Sequence, residues 1–294
     1  MVDRYQVRVK SVEVKSLFEN NQAIPLAEKL RPKSIDEIVG QGHLVGEQGL
    51  IRGLIRADKL TSMIFWGPPG SGKTTLARVI ADTYRAEFIE VSAVSMGKAE
   101  VRQAIDQALQ SKNLGRQTIL FVDEIHRFNK AQQDAFLPYV EDGTLTFIGA
   151  TTENPGFALN NALLSRVRVY VLNSLDPVAI RQVVDRALSD AGRGLGGRWP
   201  LSEAARDRLA QSTDGDARRA LIWLELAAEL AAAQGTTLEA ALPEVMNEGA
   251  GRRFDRGGDL FYDQISALHK AVRGSSPDAA LYWLARMLDG GCDP

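Results

Sequence analysis

The spacing of apolar residues divides the chain into two patterns. Between residues 62 and 172, short apolar runs rich in β-branched and aromatic side chains alternate with segments of helical spacing. Such runs predict strands, which we place at residues 63–66, 88–91, 118–122, 145–149 and 167–172. Strands that alternate with helices predict a parallel sheet covered on both faces. The first part of the chain is therefore predicted to be α/β.

After residue 176 only helical spacing follows. The predicted helices cover residues 177–191, 202–211, 216–233 and 238–247. A glycine-rich stretch at residues 192–197 joins the first two, and its composition favours a flexible connector. Two amphipathic stretches, at residues 261–272 and 278–288, precede a turn-like end without a closing element. We therefore predict an all-α domain, then the start of a further helical domain, and expect the chain to be a fragment.

Four segments follow from these patterns. Residues 1–22 lack a helical period, and we expect a mobile arm with at most a strand near residues 6–14. The remaining predicted boundaries are 23–175 for the α/β domain, 176–248 for the all-α domain and 249–294 for the beginning of the last domain.

The composition is that of a soluble globular protein. With 294 residues, 45% of them hydrophobic and 24% charged, the chain is long enough for more than one domain, and fibrous or disordered classes are excluded. No apolar run approaches the roughly 18 residues of a membrane span, and the first residues do not form a signal peptide. The expected location is the cytoplasm, without membrane contact.

The cysteine and histidine content and the net charge limit which disulfides, metal sites and nucleic-acid contacts the chain can form. A single cysteine, Cys292, permits no internal disulfide, and the three histidines lack zinc-type spacing. The formal net charge of −2 gives no global electrostatic footprint for nucleic acid. Any contact with DNA would therefore require a local basic patch.

A glycine-rich loop carries the clearest chemical pattern. Residues 67–74 (GPPGSGKT) match G-x-x-x-x-G-K-[ST] and lie between a predicted strand and a predicted helix at residues 74–84, which is the context this motif needs. In such a loop backbone N–H groups surround phosphates, Lys73 reaches the β and γ oxygens, and the Thr74 hydroxyl binds Mg²⁺. The sequence predicts an ATP site with Mg²⁺ formed by Gly67, Pro68, Pro69, Gly70, Ser71, Gly72, Lys73, Thr74 and Thr75. The predicted fold class is thus a P-loop NTPase.

Two carboxylates end the third predicted strand. Asp123 is predicted to hold Mg²⁺ through its water shell, and Glu124 to orient the water that attacks the γ-phosphate. Asp is also a common helix N-cap. The catalytic interpretation of the two acids is favoured because the glycine-rich loop precedes them in the chain. His126 is predicted to lie on the surface or behind these groups, without acting as a base.

Further polar residues follow the next predicted strands. Thr152 is a candidate for holding the attacking water, because strand ends in an open α/β sheet face the ligand; a role in capping the turn before Pro155 stays open. Arginine pairs occur at residues 166 and 168 and at residues 218 and 219. An arginine at a helix start opposes the helix dipole, which suggests that Arg218 faces an anion.

At these motifs the chain resembles the AAA+ ATPases, and among them the replication-associated recombination protein A family, whose eukaryotic relative is the Werner helicase interacting protein. The resemblance extends from about residue 25 to the last residue. It rests on the stretches at residues 62–70 (SMIFWGPPG), 123–134 (DEIHRFNKAQQD), 147–155 (FIGATTENP), 215–220 (GDARRA) and 265–274 (ISALHKAVRG).

The resemblance implies roles that spacing does not show. Thr152 matches the first sensor, Arg166 the finger that a neighbouring subunit inserts towards the γ-phosphate, and Arg218 the second sensor on a helical lid, the domain at residues 176–248. The segment Val39, Gly40 and Gln41 matches the stretch around the adenine. Hydrolysis would then depend on assembly of a homo-oligomer.

The family also implies partners: DNA that is single-stranded, gapped or forked, single-strand-binding protein, and copies of the same chain in a tetramer. A nucleoid-associated location in a bacterial cytoplasm follows. The leading hypothesis is a DNA-dependent ATPase that remodels replication or recombination intermediates. Because most of the family's C-terminal domain would follow residue 294, tetramer formation by this chain is in doubt.

Three alternatives stay open at this point. One is a clamp loader or branch-migration motor, and another is a nucleotide-gated scaffold that recruits repair proteins. The third concerns residues 126–130 (HRFNK), where Phe128 would either stack on a DNA base or pack in the core.

Overall fold

The computed structural model describes residues 24–94, 98–249 and 259–289. The predicted arm at residues 1–22 and the turn-like end at residues 290–294 lie outside the described residues. Among the helices described, none is long and apolar enough to cross a membrane.

A parallel sheet forms the first half of the described chain. Its strands are β1 (Met63–Trp66), β2 (Glu87–Ser92), β3 (Thr118–Asp123), β4 (Thr146–Thr151) and β5 (Arg168–Val171). They lie in the order β2-β3-β4-β1-β5, and every pairing is parallel. The predicted α/β fold is confirmed, and each predicted strand lies within two residues of its observed bounds.

Helices surround this sheet and then continue without it. In the first half they are α1 (Leu26–Lys29), α2 (Gly42–Val45), α3 (Leu50–Arg56), α4 (Lys73–Tyr84), α5 (Lys98–Asn113), α6 (Lys130–Asp134), α7 (Leu137–Glu141), α8 (Pro155–Ala158) and α9 (Asn161–Leu164), with 3₁₀ turns at Ile35–Glu37 and Ile125–Arg127. The second half has α10 (Pro177–Ser189), α11 (Glu203–Ser212), α12 (Ala217–Gln234), α13 (Leu238–Gly249), α14 (Asp259–Arg273) and α15 (Pro277–Asp289).

The strand pattern explains why helices cover both faces of the sheet. On β1, Ile64 belongs to one apolar cluster while Phe65 belongs to another, and β3 divides in the same way at Leu120 and Phe121. Successive strand residues point to opposite faces. A sheet with apolar side chains on both faces must be covered on both.

Polar side chains fix the starts of the lid helices. Asp176, Ser202 and Asp216 each accept a hydrogen bond from a backbone N–H in the first turn of α10, α11 and α12. Such caps satisfy donors that the helix itself leaves unpaired, and each contributes about 1 kcal/mol. The sequence boundaries of these helices were therefore predictable.

Helix α1 packs with the lid, although it precedes the sheet in the chain. Leu26 and Leu30 are buried in the apolar cluster that α10 to α13 form. The backbone N–H of Leu26 also donates to Glu225 on α12 at 2.8 Å. Towards the sheet, Arg31 donates to Thr75 on α4 at 3.4 Å. The segment before the sheet thus connects the lid to the helix after the glycine-rich loop.

The connector between α10 and α11 was predicted to be a flexible loop, but hydrogen bonds hold it in place. The Asp190 carboxylate accepts hydrogen bonds from the backbone N–H groups of Gly192 at 2.9 Å and Arg193 at 2.8 Å. These bonds hold the pKa of Asp190 below its ordinary value. The Arg193 side chain reaches Glu37 at 3.1 Å. The loop is therefore hydrogen-bonded throughout its first turn and attached to the segment before the sheet.

Phe128 lies in the core, so the hypothesis that it stacks on DNA is wrong. Only 4% of the residue is exposed, and its ring stacks on Phe136 with 6.0 Å between centroids. Phe136 in turn contacts Phe147 on β4 at 5.7 Å. The sequence could not separate the two interpretations, because the apolar partners lie 8 and 19 residues away.

A truncation test follows from this packing. Replacing Phe128 by alanine is expected to lower the free energy of unfolding by about 3–5 kcal/mol, because a large buried ring leaves a cavity. Phe157 is the matched control, since 94% of it is exposed and its truncation should change stability by less than about 0.5 kcal/mol. Denaturant titration of both variants measures the difference; equal stabilities would contradict the buried position.

Candidate active site

The loop after β1 has the backbone of an anion site. Gly70 has a φ of 70° and Gly72 a φ of 99°, both in the left-handed region that side chains with a Cβ avoid. Helix α4 begins at the next residue, Lys73. Successive N–H groups in such a turn, followed by a helix N-terminus, form a concavity with positive potential.

Lys73 is enclosed within this loop. It is 8% exposed, and its Nζ donates to the carbonyls of Gly67 at 2.7 Å and Pro68 at 2.9 Å. Burial lowers the pKa of the ammonium group, while the carboxylates of Glu124 and Asp123 act in the opposite direction. Two neutral carbonyls stabilise a buried cation less than phosphate oxygens would. The position therefore suits an anionic ligand.

A second polar group in the loop supports the same fit. Ser71 is 2% exposed, and within the described part of the chain its buried hydroxyl oxygen has no hydrogen-bond partner. Buried hydroxyls are normally paired. An occupant that accepts a hydrogen bond at this point would remove the deficit, and a phosphate oxygen is such an acceptor.

The two predicted carboxylates lie at the same edge of the sheet. Asp123 ends β3 and pairs in register with Ser92 of β2. Glu124 follows with a φ of 53°, a left-handed conformation that is uncommon for a residue with a side chain. Its backbone N–H donates to Asp123 Oδ1 at 3.1 Å. The two acids thus follow one another at the carboxyl end of β3, with Glu124 in a strained turn.

Strand β4 completes this edge. It lies between β1 and β3, and the carbonyl of its last residue, Thr151, accepts from the N–H of Gly67 at 3.2 Å. Thr152 follows directly and is half-buried. The structure thus brings the glycine-rich loop, the two carboxylates and Thr152 to one edge, as the sequence predicted.

The lid contributes the start of α12. A Cβ on Gly70 would lie 2.0 Å from Asp216 Oδ1 and 2.9 Å from its Cα, so glycine permits this close approach. Burial is the main cause of the lowered pKa of Lys73, and the hydrogen bond from Arg31 is the main cause of the lowered pKa of Glu28 on α1; the charge of Arg218 adds to both. Arg218 is exposed, whereas Arg219 contacts Asp214 at 3.7 Å and lies over the Trp223 ring. Of this arginine pair, Arg218 is the member available to a ligand.

Comparison with known proteins matches both halves of the chain. A model described as "ATPase family associated with various cellular activities (AAA)" matches residues 63–175, and one described as "AAA C-terminal domain" matches residues 196–273. The chain belongs to the AAA ATPase family. The P-loop fold of this family agrees with the sheet described above.

Individual relatives confirm the predicted resemblance within this family. Replication-associated recombination protein A of Haemophilus influenzae is 56% identical over 281 residues, which are 94% of this chain and 63% of that protein. ATPase WRNIP1 of Dictyostelium discoideum is 38% identical and matches 94% of this chain and 34% of its own length. The chain therefore spans 63% of the length of the bacterial relative.

A solved structure agrees in fold. The Thermotoga maritima RuvB Holliday junction branch migration motor has a TM-score of 0.61 and 24% identity, over 83% of this chain and 80% of that chain. At this identity the likeness shows the fold alone.

Three residues of this AAA chain that were predicted to surround the adenine lie at the junction of sheet and lid. Val39 packs against the lid cluster, and a Cβ on Gly40 would lie 2.4 Å from Leu175. Gln41 is 1% exposed; its amide nitrogen donates to the carbonyls of Ser71 at 3.2 Å and Asn173 at 2.8 Å. The Gln41 side chain thus braces the glycine-rich loop, and contact with adenine stays a prediction.

Arg166 was predicted as a site residue, but within one chain it does not lie at the glycine-rich loop. Its guanidinium is paired with Glu141 and donates to the Ala162 carbonyl at 2.7 Å. The side chain is 36% exposed. This position leaves it accessible from outside the chain.

His126 lies behind the carboxylates, which is one of its two predicted positions, and not on the surface. Its side chain is 6% exposed and contacts Glu124, Glu153 and Thr151. Glu124 is two residues away in the sequence, whereas Thr151 and Glu153 follow another strand, so only the fold brings them to His126.

Proposed function

We propose that this chain is the ATP-hydrolysing part of a DNA-dependent AAA+ ATPase that maintains replication forks and remodels recombination or repair intermediates. The observation that carries the proposal is the convergence of Lys73, Asp123 and Glu124 at one edge of the sheet, beside the start of α12. The similarity to replication-associated recombination protein A supports the cellular role.

Each group has a distinct task in the proposed reaction. The loop at residues 67–75 holds the phosphates of ATP, with Lys73 on the β and γ oxygens. Thr74 and Asp123 hold Mg²⁺, partly through water, and the ion supplies charge neutralisation when bound. Within the described residues no cluster of three His, Cys, Asp or Glu side chains suits a metal. Mg²⁺ usually retains waters and needs few protein ligands.

The remaining residues act on the attacking water and on the developing charge. Glu124 polarises the water and Thr152 orients it. Arg218 on the lid and Arg166 of a neighbouring copy stabilise the γ-phosphate charge. Because α12 touches the loop at Gly70, loss of the γ-phosphate would allow the lid to move relative to the sheet.

The proposed partners are single-stranded, gapped or forked DNA, single-strand-binding protein and other copies of the chain. The proposed assembly is a homo-oligomer, which is a tetramer in the full-length family. The proposed location is the bacterial cytoplasm, in association with the nucleoid.

Steady-state ATP hydrolysis tests this proposal. The rate is measured without DNA and with single-stranded, gapped, forked, blunt duplex and four-way junction DNA, beside Lys73→Ala. Stimulation by gapped or forked DNA above blunt duplex supports fork maintenance. Stimulation confined to the four-way junction favours the branch-migration alternative. Slow hydrolysis that depends on Lys73 and ignores every DNA contradicts the proposal and favours the scaffold.

A further inference from the structure

His126 occupies the interior of the active-site edge. It lies in the 3₁₀ turn at Ile125–Arg127, directly after the two carboxylates of β3. Its side chain is only 6% exposed. A buried imidazole must satisfy both ring nitrogens, so the partners of each nitrogen define what it does.

Nε2 faces two acidic side chains. It lies 3.3 Å from Glu124 Oε2 and 3.5 Å from Glu153 Oε1. Carboxylates accept hydrogen bonds and do not donate them when ionised. The two carboxylates therefore favour a hydrogen on Nε2, the ring nitrogen that faces them.

Nδ1 joins the ring to the end of β4. It lies 3.0 Å from Thr151 Oγ1, and Thr151 is fully buried. The same hydroxyl accepts from the backbone N–H of Glu153 at 3.0 Å. Since the Thr151 carbonyl also accepts from Gly67, this hydroxyl belongs to the strand end that contacts the phosphate loop.

Glu124 needs such a partner because its own backbone does not fix its carboxylate. The residue sits in a left-handed turn, and its side chain is one third exposed. A glutamate with several free torsions samples many positions unless a hydrogen bond selects one. His126 is the buried group whose Nε2 contacts this carboxylate, at 3.3 Å.

We propose that His126 is a positioning residue that holds the Glu124 carboxylate near the end of β4. The carboxylate is thereby coupled to Thr152, the predicted water-holding residue that follows this strand. If residues 151–153 shift when a γ-phosphate binds or leaves, the imidazole shifts with them and the Glu124 carboxylate follows. This inference rests on the proposed role of Glu124 in hydrolysis.

Three substitutions separate the two contacts of the ring. His126→Ala removes both. In His126→Gln the amide nitrogen reaches the place of Nε2 and keeps a donor towards Glu124, whereas in His126→Asn it reaches the place of Nδ1 and keeps only the contact with Thr151. Misplacing a catalytic group by about 1 Å costs on the order of 10²-fold in rate. We expect kcat to fall by about that factor in the Ala and Asn variants and to recover to within a few-fold in Gln, with unchanged affinity for Mg·ATP.

A double-mutant cycle distinguishes this role from a structural one. Single-turnover hydrolysis is measured for the wild-type chain, for His126→Ala, for Glu124→Gln and for the variant with both changes. If His126 acts through Glu124, its removal should change the residual rate of Glu124→Gln by less than about twofold. The same fall in both backgrounds would overturn the proposal, as would wild-type kcat in His126→Ala or failure of Gln to exceed Asn.

The cycle also reports on the proposed function separately. If Glu124→Gln alone hydrolyses ATP at the wild-type rate, the catalytic role of Glu124 fails, whatever His126 does. If Glu124→Gln is slow while His126→Ala is fast, only the inference about His126 fails. Thermal unfolding of each variant shows that the chain remains folded.

Discussion

Replacing Lys73 by alanine is expected to weaken binding of Mg·ATP by at least about 100-fold. The ammonium group is buried among the loop carbonyls and would exchange these partners for phosphate oxygens. Each hydrogen bond to a charged group contributes about 1.5–3 kcal/mol, and about 1.4 kcal/mol corresponds to a tenfold change in affinity. Loss of two such bonds therefore removes most of the nucleotide affinity.

Titration calorimetry with a non-hydrolysable ATP analogue measures this effect. Lys59→Ala is the matched control, because Lys59 is exposed and precedes β1, at the opposite edge of the sheet. Its affinity should equal that of the wild-type chain. Binding by Lys73→Ala within threefold of wild type would show that the phosphates lie elsewhere.

Replacing Arg166 by alanine is expected to lower kcat by about 10³-fold or more while affinity for Mg·ATP stays nearly unchanged. In its own chain the guanidinium is paired with Glu141 and the Ala162 carbonyl. An arginine finger supplied by another subunit acts on the transition state, so its loss reduces hydrolysis more than binding. Arg168→Ala, on the exposed edge strand β5, is the control.

Mixing two inactive variants tests whether the arginine acts between subunits. Lys73→Ala subunits cannot hold ATP but retain Arg166, whereas Arg166→Ala subunits hold ATP without a finger. We expect the mixture to hydrolyse ATP faster than either variant alone, and increasingly so at higher protein concentration. If Arg166→Ala hydrolysed ATP as fast as Arg168→Ala, Arg166 would have no role in hydrolysis.

The sequence predicted the parts of this site that depend on local pattern. The loop at residues 67–74 and the acids at residues 123 and 124 follow apolar strands, and parallel strands deliver their ends to one edge. Capping residues such as Asp176 fixed the starts of the lid helices. These features need only near neighbours in the chain.

Features that depend on distant partners were beyond the sequence. The bracing of Ser71 by Gln41 and the contacts of His126 with Thr151 and Glu153 join segments that are far apart in the sequence. The packing of Leu26 in the lid cluster places a segment before the sheet with helices that follow it. For Phe128 the sequence left both base stacking and core packing open, and the tertiary structure places the ring in the core.

Single-turnover hydrolysis by Glu124→Gln tests the central claim, that ATP is hydrolysed at this edge of the sheet, most directly. The amide keeps the size of the side chain but cannot accept a proton from water, so binding and chemistry are separated. The account predicts affinity for Mg·ATP within about threefold of wild type and hydrolysis at least about 100-fold slower. Hydrolysis at the wild-type rate by this variant would contradict the account, because the attacking water would then be activated somewhere else.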